Sequence, residues 1–104
     1  MASYGIHWRE RQTNAIHRSL DHLLAMAHRY RKESNLRQAM EMYWMLLEDH
    51  SGTEQSLEAQ ESLLELAESY ERDEWRHTAR AVYERIVSTA LQSDVLSQEI
   101  GAAA

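Results

Sequence analysis

The groups best able to do chemistry in this 104-residue chain are six histidines and 17 carboxylates. His17 and Asp21 stand one helical turn apart, and His28 lies on broadly the same side of that helix, a spacing at which two ligands can meet on a metal ion. The pattern ends there. No Cys is present, no His-Glu-x-x-His, and no paired Glu-x-x-His units that would complete a coordination shell. The expectation is no metal and no cofactor. None of the three glycines forms a phosphate-cradling loop, and no Ser stands at an arguable spacing to His and Asp. Glu48, Asp49, Glu54, Glu58, Glu61, Glu65, Glu68 and Glu71 read as solvated helix faces. No catalytic residue is assigned, and an enzyme is not expected.

Two other clusters suit contact with a partner. Met26, Met40, Met42 and Met45 concentrate in the first hairpin with Trp44, and Met supplies adaptable apolar surface at interfaces, although core packing is the favoured account because a sandwiched helix needs apolar cover on several sides. Tyr4 and Trp8, flanked by Arg9 and Arg11, have the composition of an arm that stacks on nucleic acid or a partner, although a helical extension or a floppy terminus is the favoured account. Charge is distributed unevenly. Up to Met40 there are seven Lys/Arg against three Asp/Glu, net +4, and from Glu41 onward four against fourteen, net −10. A basic patch for nucleic acid is therefore available only on the first helix, so nucleic acid is not expected as the main partner. The same asymmetry permits the basic end of one copy to meet the acidic end of another.

The elements that position these groups follow from composition and periodicity. With 43 % hydrophobic residues, no Pro, and Ala, Leu, Glu, Arg, Gln and Met abundant, the chain reads as one small all-α domain. No apolar run approaches the roughly 18 residues of a membrane span, and Met1 to Gln12 lacks the apolar middle of a secretory signal; a cytoplasmic protein is expected. In the first helix Ile16, Leu20, Leu23, Ala27 and Tyr30 form a seam that extends back through Gln12 and Trp8, with a start near His7 and an end at Lys32 or Glu33. The turn Glu33-Ser34-Asn35 leads to a second helix bearing Leu36, Ala39, Met40, Tyr43, Leu46 and Leu47. Gly52 suits positive φ, and Ser51 with Glu54 has capping-box spacing. A third helix from about Thr53 presents Leu57, Leu63, Leu64, Ala67 and Tyr70. After Asp73-Glu74, a fourth presents Trp75, Ala79, Val82, Tyr83, Ile86, Val87, Ala90 and Leu91, with Arg80, Glu84 and Arg85 left for solvent. A frayed tail is expected over 93–104, with Val95, Leu96 and Ile100 an apolar remnant within it.

An internal repeat organises all four helices. Leu23 to Asp49 recurs as Leu63 to Thr89, with identities at Leu23/Leu63, Leu24/Leu64, Ala27/Ala67, Tyr30/Tyr70, Ala39/Ala79 and Tyr43/Tyr83, a period of 40. Units of this size bury their apolar faces by stacking. Repeat 1 spans about 7–50 and repeat 2 about 53–92.

These residues resemble the tetratricopeptide repeat family. That family places apolar residues at its fourth and seventh positions, a small one at the eighth, an aromatic at the eleventh, Ala at the twentieth, an aromatic at the twenty-fourth and a small or apolar residue at the twenty-seventh. Leu23, Met26, Ala27, Tyr30, Ala39, Tyr43 and Leu46 fall in that register, as do Leu63, Leu66, Ala67, Tyr70, Ala79, Tyr83 and Ile86. The likeness covers about Ile16 to Leu91. It departs in its period, 40 against the usual ~34, in Ser51 and Leu91 where a closing Pro is common, and in lacking a capping helix beyond Val95 to Ile100. It implies a right-handed stack of two antiparallel helical hairpins in which each unit's first helix lines a groove. Carried over by register, the partner-binding residues are Asp21, Leu24, His28, Arg31 and Lys32 in the first unit and Glu61, Leu64, Glu68, Glu71 and Arg72 in the second. Leu24 and His28 stand where the family's carboxylate-gripping Lys/Asn clamp would begin, so that kind of peptide-tail binding is not implied.

The function expected is a non-catalytic protein-interaction module, an adaptor, chaperone-like or assembly factor for a protein or peptide. Self-association is also expected, because two units leave open ends, with Met42, Trp44 and Met45 the candidate oligomer surface or, failing that, the last helix. Two alternatives remain open: a structural homo-oligomeric bundle without a separate ligand, and a nucleic-acid accessory protein using the basic first helix.

Overall fold

A computed structural model describes the backbone of residues 2–103 and the side chains of residues 11–92. The Tyr4, Trp8 and Arg9 arm and the Val95, Leu96 and Ile100 remnant lie outside the described side chains. The chain is all-α, with four helices: α1 (Ala2–Lys32), α2 (Leu36–Asp49), α3 (Glu54–Arg72) and α4 (Arg76–Ala103). Both terminal helices are longer than the sequence suggests. The α1 backbone begins before His7, and α4 continues past Ser93 without a break.

The repeat is reproduced in the backbone bond for bond. At the end of α1 the amides of Glu33, Ser34 and Asn35 donate to the carbonyls of Arg29, Arg31 and Tyr30; forty residues on, those of Asp73, Glu74 and Trp75 donate to Ser69, Glu71 and Tyr70. The pair of reaching bonds, Asn35 to Tyr30 and Trp75 to Tyr70, is 2.8 Å in both. This is the Schellman closure of a helix, which requires a left-handed residue just past the end. That residue is normally Gly, yet here it is Ser34 at φ 64° and Glu74 at φ 67°. The carbonyls of Asn35 and Trp75 then accept from Ala39 and Ala79, opening the next helix. Trp75 is thus a capping residue of α4 and not part of its apolar face, which explains why it is 64 % exposed.

The link between α2 and α3 is built differently. Gly52 takes φ 83° as its sequence suggests. The N-cap is Thr53, not Ser51: its Oγ1 accepts from the Ser56 amide at 3.1 Å and donates to the His50 carbonyl at 2.8 Å, while the Ser56 hydroxyl returns a bond to the Thr53 carbonyl. Thr53 wins because its extended backbone, φ −97° and ψ 159°, aims the hydroxyl at the first turn.

The chain divides into two compact units, Met1–Met42 and Tyr43–Ala104. The first buries Leu20, Leu24 and Ala27 on α1 and Ala39 on α2. The second holds α3 and α4 as an antiparallel hairpin, with the second half of α2 in the same unit. Its core is Tyr43, Trp44, Leu46, Leu47, Ala59, Leu63, Leu66, Ala67, Ala79, Val82 and Ile86. Ala27, Ala39, Ala59 and Ala67 are fully covered and Ala79 is 1 % exposed, as small residues must be where helix backbones approach closely. The third helix departs from its apolar pattern at its start. Leu57 is 61 % exposed, and Gln55, Ser56, Ala59 and Ser62 take the inner side. Among the described residues no helix is long and apolar enough to cross a membrane.

Candidate functional site

In the first unit, α1 carries a basic surface near its C-terminal end. His28, Arg31 and Lys32 line one shallow depression of about 700 Å³ together with Ala25 and Arg29. Cations in the last turn of a helix also complement its dipole, so the sequence favours this placement locally. Asp21 is exposed nearby in sequence, but Leu24, in the same predicted set, is only 7 % exposed. Leu24 belongs to the core and offers no surface to a partner. The i, i+3, i+4 seam through Leu20, Leu24 and Ala27 takes that position inward.

The second unit brings Glu71 into an open cleft of about 610 Å³ with Arg76, Arg80, Tyr83 and Glu84. The Glu71 and Glu68 carboxylates are close enough to the Tyr83 phenol to act on it, Glu71 as its hydrogen-bond acceptor in reach. Partial burial, then the charges of Glu71 and Glu68, then that hydrogen bond hold the phenol above its ordinary value of 10.0. The repeat gives the reason Tyr83 is accessible: its equivalent Tyr43 is completely buried, while Tyr83 is half-buried. Glu61, Glu68, Glu71 and Arg72 are exposed, and Leu64 is half-buried. Tyr83, Arg76 and Arg80 were not legible as site residues, because the repeat register assigns Tyr83 to the core, the helix pattern leaves Arg80 for solvent, and Arg76 belongs to no motif.

The candidate oligomer surface is rearranged. Trp44 is 7 % exposed, with the Arg85 guanidinium 4.3 Å from its ring centroid. Arg85 also holds Glu48 in a fork, Nε to Oε2 at 3.1 Å and Nη2 to Oε1 at 2.5 Å. Arg85 is therefore not simply left for solvent: it ties α4 to α2 and covers Trp44. The fork and the cation–π contact, at a half-exposed site, are each worth about 0.5–1 kcal/mol. Of the predicted patch only Met45, 43 % exposed, and half-buried Met42 face outward. Among the described residues no His, Asp and Glu converge where a metal could be held.

Compared with known protein families, curated proteins and solved structures, the chain matches none.

Proposed function

We propose that the protein is a tetratricopeptide-like interaction module that binds another protein or peptide through the charged faces of its first and third helices and has no catalytic activity of its own. One observation carries the reading. Two 40-residue repeats close their helices with the same three hydrogen bonds and bury the same alanines, so the conserved chemistry of the repeat is spent on scaffolding. What differs between them is the outward charge: His28, Arg31 and Lys32 on one, Glu68 and Glu71 on the other. A partner of matching chemistry presents acidic residues to the first unit and basic or apolar ones to the second. The module is expected to act in the cytoplasm and to self-associate.

The test is affinity capture from the native lysate with mass spectrometry, comparing the wild type with Arg31→Glu/Lys32→Glu and with Glu68→Lys/Glu71→Lys. Each double variant should keep its helical circular dichroism and lose the captured partner through slower association. A partner retained by both variants would overturn the reading.

A further inference from the structure

The repeat itself indicates which surface is left uncovered. Positions on α2 and α4 forty residues apart are equivalent, and at two of them the outcomes diverge. Trp44 and Leu47 are each 7 % exposed; Glu84 and Val87, their equivalents, are exposed, Val87 by 56 %. The α2 face is covered in part by Arg85 from the following hairpin. One turn beyond Val87 the apolar surface continues through Leu91, 58 % exposed. By the repeat, the α4 face therefore corresponds to the α2 face on which the following hairpin lies.

A second uncovered helix surface of opposite character lies on α1. Every residue from 11 to 19 is exposed, including Ile16 at 57 %, although Ile16 continues the seam that is buried from Leu20 onward. That stretch contains Arg11 and Arg18 and no carboxylate. Charge decides which surfaces can pair. The unit ending at Met42 has seven Lys/Arg and four Asp/Glu, net +3, and the unit beginning at Tyr43 has four and thirteen, net −9. Two α4 faces brought together would oppose two strongly acidic units, whereas α1 on α4 joins opposite charges.

We infer that the Val87/Leu91 face of α4 receives the exposed Ile16 stretch of α1 from a second copy of this chain, in a head-to-tail contact that continues the repeat's own helix-on-helix packing. The inference rests on the self-association part of the reading above and does not involve the charged partner-binding faces. Few apolar side chains are buried on each side, fewer than in a standard interface of ~800 Å² per partner, so the contact is weak and concentration-dependent. Because the two faces differ, each contact leaves one of each free, and the copies extend into short chains or a ring and not a closed pair of like faces.

Sedimentation velocity from about 10 µM to about 1 mM, a range spanning weak association, tests this on the full chain. The wild type should gain mass with concentration, and Ile16→Glu alone and Val87→Glu/Leu91→Glu alone should each stay monomeric. An equimolar mixture of the two variants should form a dimer and stop there, because it retains one intact contact. All substituted positions are exposed, and retained helical circular dichroism establishes that each variant folds; Val87→Ser/Leu91→Ser is the milder replacement should the charged double variant unfold. A wild type monomeric throughout overturns self-association as a whole. Self-association by Ile16→Glu alone, or a mixture that stays monomeric while the wild type associates, overturns the head-to-tail pairing and leaves self-association standing.

Discussion

Glu74 occupies a backbone conformation that an L-residue with a Cβ adopts at a cost. Its φ of 67°, like the 64° of Ser34, is imposed by the Schellman bonds around it, and both side chains are exposed. Replacing either by Gly removes the steric penalty and leaves the bonds in place, so Glu74→Gly and Ser34→Gly should each stabilise the fold by about 0.5–1 kcal/mol, read as a raised thermal midpoint. Glu74→Val should do the reverse, since a β-branched residue tolerates positive φ least. Thr53→Ala removes the hydroxyl that links His50 to Ser56 and should cost about 1 kcal/mol, while Thr53→Ser should cost much less. Tyr83 sets a pH dependence. Its folded pKa lies above the unfolded value of 10.0, so the stability it contributes is fully present below that pH and is lost as pH rises through it. The difference between denaturant melts of the wild type and Tyr83→Phe should therefore shrink as pH is raised above 10.0. In an absorbance titration compared with Tyr83→Phe, Glu71→Gln should bring the Tyr83 phenol back toward its ordinary value.

At the scale of helices, the seam of α3 separates what periodicity can and cannot reveal. Leu57 and Leu63 both fit an apolar stripe, yet Leu63 is fully buried and Leu57 is 61 % exposed. Leu63→Ala should cost about 2–5 kcal/mol through the cavity it leaves. Leu57→Ala should stay within about 0.5 kcal/mol, as surface changes do. The close crossings add a third comparison: Ala27→Leu and Ala67→Leu, at fully covered positions, should each cost about 1–3 kcal/mol by overpacking. Equal responses from Leu57 and Leu63 in chemical denaturation would sink the assignment. The four helices, their turns and most of the core were legible because they depend on local periodicity and on turn chemistry repeated at a fixed interval. Leu24 was misplaced because the family register overrode the local seam that takes it inward with Leu20 and Ala27, and Trp44 for a different reason. Which side of a nearly all-apolar helix is covered depends on residues far along the chain, and the Arg85 fork on Glu48 spans 37 positions with no local spacing to announce it. The opposed charges of the two units were legible as a pattern of sign, but the Tyr83 cleft was not, since the repeat equates Tyr83 with Tyr43, which is fully buried.

For the whole molecule, the number of repeats is what bears on stability. Each repeat buries its alanines, but Ile16, Val87 and Leu91 remain exposed at more than half of their surface, leaving apolar area that a longer array would cover. The proposed association of copies would remove such area from water in the folded state alone, since the docking surfaces do not exist in the unfolded chain. Mass action then couples stability to concentration: once protein exceeds the dissociation constant, each further tenfold increase adds up to about 1.4 kcal/mol per contact formed. The thermal midpoint should accordingly rise with protein concentration for the wild type and become flat for Val87→Glu/Leu91→Glu. Added salt should flatten the wild-type curve as well, because the proposed docking would join a unit of net +3 to one of net −9 and screening weakens that attraction. A midpoint independent of concentration at low salt would mean that two repeats are sufficient by themselves, with the cores around Leu20 and Leu63 supplying all the stability the fold requires.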